Sequence, residues 1–159
     1  MDNTDMLGAE AAPATFAHRG KTYTLAAIDQ RFKSAVERSL KARAFQELYD
    51  MRDMLAPEQY QHLQRTLLAE RRRFVFFGDS YWEALATDDG SAMLVGLVFG
   101  CPEAEAAVLL RERPVEVEHL YSEQVIQSLP REKADLMRKA IADARAKAGG
   151  EKADPTRPA

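Results

Sequence analysis

The stretch "FVFFGDSYWEAL", Phe74 to Leu85, decides how this chain is read. An apolar run reaches a Gly-Asp-Ser turn, and a helical pattern follows. A strand ending in such a turn would present Ser80 as a nucleophile; a helix beginning there would use Ser80 as its cap. "SYWE" has the form of a capping box, in which Ser80 accepts from the Glu83 backbone N–H and the Glu83 carboxylate returns to the Ser80 N–H. A cap of this kind contributes on the order of 1 kcal/mol. Gly78 and Asp79 fit the turn ahead of it, and "FVFF" reads as an extended connector or a short strand.

"FVFFGDS" resembles the first block of the GDSL, or SGNH, hydrolases, and the resemblance covers roughly seven residues. It implies a serine that attacks an ester, which needs a base and donors for the oxyanion. That family supplies a later Gly-x-Asn-Asp block, whereas the one asparagine here is Asn3. It also supplies Asp-x-x-His, and the nearest approach is Glu116-Val117-Glu118-His119, with glutamate for aspartate. Its fold needs parallel strands after the serine, whereas the 79 residues that follow Ser80 read as helices. The cap is therefore preferred over the nucleophile, and no catalytic set is assigned.

The composition is that of a globular chain: 159 residues, 46% hydrophobic, enough for one domain with a real core. The net charge of −3 argues against nucleic acid as the main partner. The sign is uneven, with net +3 over residues 131–159 and −6 over 1–130. One cysteine, Cys101, makes neither an internal disulfide nor a zinc site. The longest apolar run, "AMLVGLVFG", is too short to span a bilayer, and "MDNTDMLGAE" is acidic where a signal peptide would be basic and apolar. The expectation is a cytoplasmic protein without a membrane association.

Along the chain, "TFAHRGKTYTL" reads as a small β-hairpin with Gly20 in its turn. From Ala27 to about Leu55, Ile28, Phe32, Ala35, Val36, Leu40, Leu48, Met51 and Leu55 recur at helical spacing, with a kink allowed near Lys41–Ala44. Pro57 opens the next helix, with Tyr60, Leu63 and Leu67 as its buried stripe and Arg71–Arg73 near its C-terminus. "SAMLVGLVFG" is apolar all round and predicts a buried central helix ending near Gly100. "CPEAEAAVLL" restarts with Pro102 in the first turn. Val117, Leu120, Tyr121 and Val125 mark the apolar face of the helix after it. The final helix shows a narrow stripe of Leu136, Met137, Ala140 and Ile141. The fold expected is mainly α, a small N-terminal β-hairpin followed by a compact multi-helix bundle. Its expected organisation is a disordered tail at 1–13, the helical domain at 14–130, an exposed C-terminal helix at 131–148 and a disordered tail at 149–159.

The three histidines, His18, His62 and His119, show no metal-binding spacing, and His62 and His119 are read as boundary packing. Asp88 and Asp89 are read as turn formers and a cap for the apolar helix. Neither a metal nor a cofactor is expected. The arginines before the opening stretch and the aromatics within it form a candidate protein-docking edge, since arginine and aromatic residues dominate binding hot spots. Its members are Arg71, Arg72, Phe76, Tyr81 and Trp82.

The order of segments resembles small proteins of the tail modules of tailed bacteriophages and prophages, among them tail assembly chaperones. The matching positions are Gly20, Lys21, Tyr23 and Leu25; then Phe74, Phe76 or Phe77, and Gly78; then Trp82, Ala84, Leu85, Thr87 and Gly90; and finally the apolar helix before Cys101, Pro102 and Glu103. The likeness spans about residues 15–128. It implies a non-enzymatic protein that coats the helical, apolar tape measure protein before the tail tube polymerises, often made in two lengths by frameshifting. The tape measure or another tail protein is then the expected partner, with homo-oligomers left open. A virion structural or connector adaptor is the second reading, and a small esterase the third.

Overall fold

The computed structural model describes residues 12–150. The expected tails lie outside the described residues, apart from Ala12, Pro13, Gly149 and Gly150. Strands β1 (Thr15–His18) and β2 (Lys21–Thr24) pair antiparallel, with Phe16 opposite Tyr23. Arg19 and Gly20 both take positive φ, 49° and 76°, as a two-residue hairpin turn of the I′ type requires. Alternation puts Phe16 and Tyr23 on one face, where both are buried.

Seven α-helices follow among the described residues. Asp29 caps α1 (Gln30–Asp50) by accepting from the Phe32 N–H at 2.8 Å, so this helix starts three residues later than the apolar spacing alone predicts. It runs through Lys41–Ala44 as one helix. Helix α2 (Pro57–Ala69) starts at its proline, but no α2 side chain is fully buried, and Leu63 is half exposed. The predicted buried stripe of Tyr60, Leu63 and Leu67 is thus a surface seam against α1. Arg71–Phe74 form a separate 3-10 turn, so the arginines follow α2 instead of ending it, and "FVFF" forms no strand. Helices α3 (Asp79–Leu85), α4 (Asp88–Phe99), α5 (Glu103–Glu112), α6 (Pro114–Gln127) and α7 (Arg131–Gly150) complete the chain.

Helix α4 is the centre. Leu94, Val95, Val98 and Phe99 are all buried on it, as expected of a helix apolar all round. Gly100 ends it in the left-handed conformation, and α5 leaves at 102°. At its start the cap is Thr87, whose hydroxyl accepts from the Gly90 N–H at 3.1 Å; Asp88 and Asp89 occupy the first turn, where their charge complements the dipole. The same Thr87 hydroxyl donates to the Ala84 carbonyl at 3.1 Å. Gly90 is buried directly against α3, and a Cβ there would stand 2.2 Å from the Ala84 carbonyl oxygen. Ala84, Thr87 and Gly90 therefore form one elbow.

The hairpin closes the far end of α4. Phe16 and Tyr23 meet Phe99 edge-on at 5.7 Å and 6.2 Å, and the Ala26 N–H donates to the Val98 carbonyl at 2.7 Å. Outside this apolar contact, α5 offers two carboxylates. Glu105 accepts from Lys21 at 2.5 Å and from the Tyr23 hydroxyl; Glu112 pairs with His18 at 2.7 Å and with Arg19 at 2.5 Å. His18 is thus a docking residue, whereas His62 and His119 are exposed and pack at no boundary.

Two predictions follow from these contacts. Gly90→Ala forces backbone against backbone, and overpacking of this kind costs about 1–3 kcal/mol, each kcal/mol lowering Tm by about 2–4 °C in a chain of this size. Thermal melts followed by circular dichroism check it. The second concerns acid. The hydrogen bond from Lys21 holds the Glu105 carboxyl below its ordinary range, with the Tyr23 hydroxyl adding to it; the bond from His18 does the same for Glu112, with Arg19 adding to it. Groups depressed in the folded state contribute stability above their unfolded value, about 4.3, and lose it as pH falls through the folded one. Melts of wild type should therefore drop steeply in that acid window. Glu105→Gln/Glu112→Gln should start lower at neutral pH and drop less.

Candidate functional site: an apolar cleft beside α3

The opening stretch folds around an unusual backbone. Phe77 takes φ 66°, the left-handed region, which is costly for a bulky side chain. Trp82 holds it there: its indole N–H donates to the Phe77 carbonyl at 3.0 Å, and the two rings stack 5.6 Å apart. Phe76 turns the other way, edge-on to Phe32 at 6.1 Å and to Tyr81 at 5.0 Å. The aromatics form one cluster, but only Trp82 carries it to the surface, being 48% exposed while Tyr81 is buried.

Ser80 is not the cap of the helix. Helix α3 begins one residue earlier, at Asp79 with Gly78 before it, so Ser80 lies inside the first turn. Its hydroxyl accepts from the Arg73 Nε at 3.1 Å, and the same guanidinium meets Glu83 at 3.0 Å and Glu70 at 3.4 Å. The predicted capping box between Ser80 and Glu83 is replaced by this shared cation. A charge-assisted bond is about twice as strong as a neutral one, and one guanidinium serves both side chains. Guanidinium donates only, so it cannot take a proton from Ser80.

The five residues of the predicted docking edge separate. Arg71 and Arg72 are exposed and line a shallow hollow with Gly78 and Asp79. Phe76 lies in the aromatic cluster, packed against the core. Tyr81 and Trp82 line a different and larger cavity of about 760 Å³, open to the surface. Its α3 wall continues through Leu85, and α4 adds Ser91 and Val95. Leu110 of α5 and Tyr121 and Val125 of α6 form the opposite side. Met137 and Ile141 of α7 close it, half-buried and facing in. Asp88, Arg111 and Glu118 stand at the exposed rim.

At the cleft's floor the Tyr81 and Tyr121 hydroxyls meet at 2.7 Å. Burial pushes the Tyr81 phenol up to about 12 and raises Tyr121 as well, so both stay protonated at neutral pH. Sequence reasoning placed Tyr121 and Val125 on an apolar helix face and Met137 and Ile141 on a narrow stripe. It could not place them opposite Trp82, because two helices separate α3 from α6 in the chain and three separate it from α7. The available signal was the α7 stripe itself, too narrow for a core helix and too apolar for a free one.

A second apolar seam lies between α1, α2 and α3, with Leu40, Leu48, Leu63 and Leu67 below Arg43 and Arg73. No group of three or more His, Cys, Asp or Glu side chains with metal-holding geometry occurs among the described residues. Likewise, no single helix among them is long and apolar enough to cross a membrane.

Arg73→Met should lower stability by about 1 kcal/mol, a small figure because the Arg73 and Glu83 side chains are 39% and 62% exposed. Ser80→Ala should cost less, and p-nitrophenyl ester turnover should be the same for wild type and Ser80→Ala; serine-dependent turnover would reverse the assignment of Ser80. No family model, curated protein or solved structure matches the chain, so the functional reading rests on the cleft and on the order of its segments.

Proposed function

We propose that the chain is a non-enzymatic, helix-binding protein of the tail assembly chaperone type. It takes an amphipathic helix of a tape measure protein into the cleft between α3, α6 and α7 and shields its apolar stripe before the tail tube polymerises. The observation that carries this reading is the cleft itself. It is an open trough walled by Leu85, Val95, Leu110, Val125, Met137 and Ile141, with a half-exposed tryptophan at its lip. Helix-in-groove recognition uses this arrangement, in which apolar anchors at i, i+3/i+4 and i+7 enter a hydrophobic trough. Tryptophan is the residue most often found dominating such contacts.

Part of the resemblance falls on the trough, where Trp82 and Leu85 of α3 and Val95 of the apolar helix line it. The Thr87–Gly90 elbow sets α3 against α4, and the Gly20 hairpin closes the far end of α4. The reading carries host cytoplasm as the place of action, since the tape measure is shielded there before assembly.

A tape measure gene beside the one for this chain would support the reading, and co-expression with such a tape measure protein tests it. The expected result is a soluble complex on size exclusion. Ile141→Asp, which sets a charge on the trough wall, should weaken it by tenfold or more, and Trp82→Ala by a similar factor, as for a hot-spot residue. A tape measure that stays insoluble, with no complex eluting, would end the chaperone reading.

A further inference from the structure

Helix capture as described leaves one chemical feature of the cleft unused. Tyr81 is 1% exposed and Tyr121 8%, and their hydroxyl oxygens lie 2.7 Å apart on the cleft lining. Two phenols carry two protons, and one O···O contact uses one of them. Neither oxygen has another hydrogen-bond partner among the described residues. Whichever hydroxyl accepts keeps its own proton unshared. Covering that donor with a wholly apolar stripe would leave it unsatisfied, which weakens binding. The rim adds a second asymmetry. Asp88, Glu118 and Arg111 stand there, so carboxylates outnumber cations, and neither Asp88 nor Glu118 forms an ion pair among the described residues.

We infer that the cleft reads the register of its occupant through the Tyr81–Tyr121 pair. The occupant is an amphipathic helix whose apolar stripe is interrupted by one side-chain carbonyl, from glutamine or asparagine, with a lysine or arginine on the flank facing Asp88 and Glu118. The inference rests on the helix-binding reading above and adds what that reading does not specify. A lone polar residue in an apolar seam fixes register, because a slip leaves polar groups unpaired on both sides. Here a slip of one turn would bury the amide against leucine and valine and leave the phenol without an acceptor.

The experiment uses the full chain and synthetic Leu/Lys amphipathic peptides of about 18 residues, five turns of helix. One carries glutamine at the centre of its stripe, one carries methionine there, and one carries the glutamine displaced by a turn. Titration calorimetry with wild type should rank the central glutamine about tenfold tighter than the displaced one, the factor that corresponds to about 1.4 kcal/mol. In Tyr81→Phe/Tyr121→Phe that advantage should vanish, and the methionine peptide should bind the variant more tightly than wild type, since the variant has no phenol proton to leave unsatisfied. Equal binding of all three peptides to wild type would overturn the register inference and leave helix binding standing. Binding of none would overturn both. Should the double variant fail to fold, the comparison of central with displaced glutamine in wild type decides alone.

Discussion

The contact of α4 on α3 at Gly90 and Ala84 is the constraint from which the rest follows. No side chain separates the two backbones there, since even a methyl at position 90 would overlap the Ala84 carbonyl. The helices can therefore diverge only from that point. Their shared side turns Tyr81, Trp82 and Leu85 of α3 toward Ser91 and Val95 of α4, and these residues line one cleft. The rest of α4 carries Leu94, Val98 and Phe99 into the core, where the hairpin aromatics close on Phe99. Thr87 fixes the elbow from both directions, accepting from Gly90 and donating to Ala84. One small residue and one hydroxyl thus position both the core and the candidate site.

Electrostatics explains why the Gly-Asp-Ser turn looks like a nucleophile block and is built as something else. Asp79 opens α3, where a carboxylate complements the helix dipole. Gly78 is required because its Cβ would meet the carbonyls of Arg72, Arg73 and Val75, which the 3-10 turn folds around it. Ser80 then points at Arg73, and the guanidinium binds serine and glutamate together. A capping box needs Ser80 to face the backbone, and the cation beside it outcompetes that arrangement.

The legible parts of the sequence were those governed by local chemistry. The turn at Gly20, Pro57 at a helix start, Gly100 at a helix end and the all-round apolar α4 each depend on a few adjacent residues. Depth of burial was not legible. Tyr60, Leu63 and Leu67 recur at helical spacing, yet periodicity states that a helix has an apolar side and not how far it sinks. The placement of the docking-edge residues was not legible for a related reason. Arg71, Arg72, Phe76, Tyr81 and Trp82 are close in sequence, but the left-handed turn at Phe77 sends the arginines to one hollow and Tyr81 and Trp82 to another cavity. That turn is held by an indole hydrogen bond five residues on, a tertiary cause with no local signature.

The two ends of the molecule are held with different strength, and this bears on how the cleft works. The hairpin is fixed by edge-on aromatics, by a backbone bond to α4 from Ala26 just after it and by two carboxylates of α5 that each take more than one donor. Helix α7 rests on much less. Ala134 is the one buried residue among its described side chains, and Arg138 reaches Glu123 of α6 at 3.8 Å. Elements with few buried contacts open at lower free energy than the core. The cleft therefore has a rigid side, where Tyr81 and Tyr121 hold their hydroxyls together, and a yielding side, where Met137 and Ile141 can shift with the girth of whatever enters. On the helix-binding proposal, register is read on the side with the buried hydroxyl pair and fit is accommodated on the side of α7. A trough that works in this way would take varied apolar stripes while rejecting one that arrives a turn out of step.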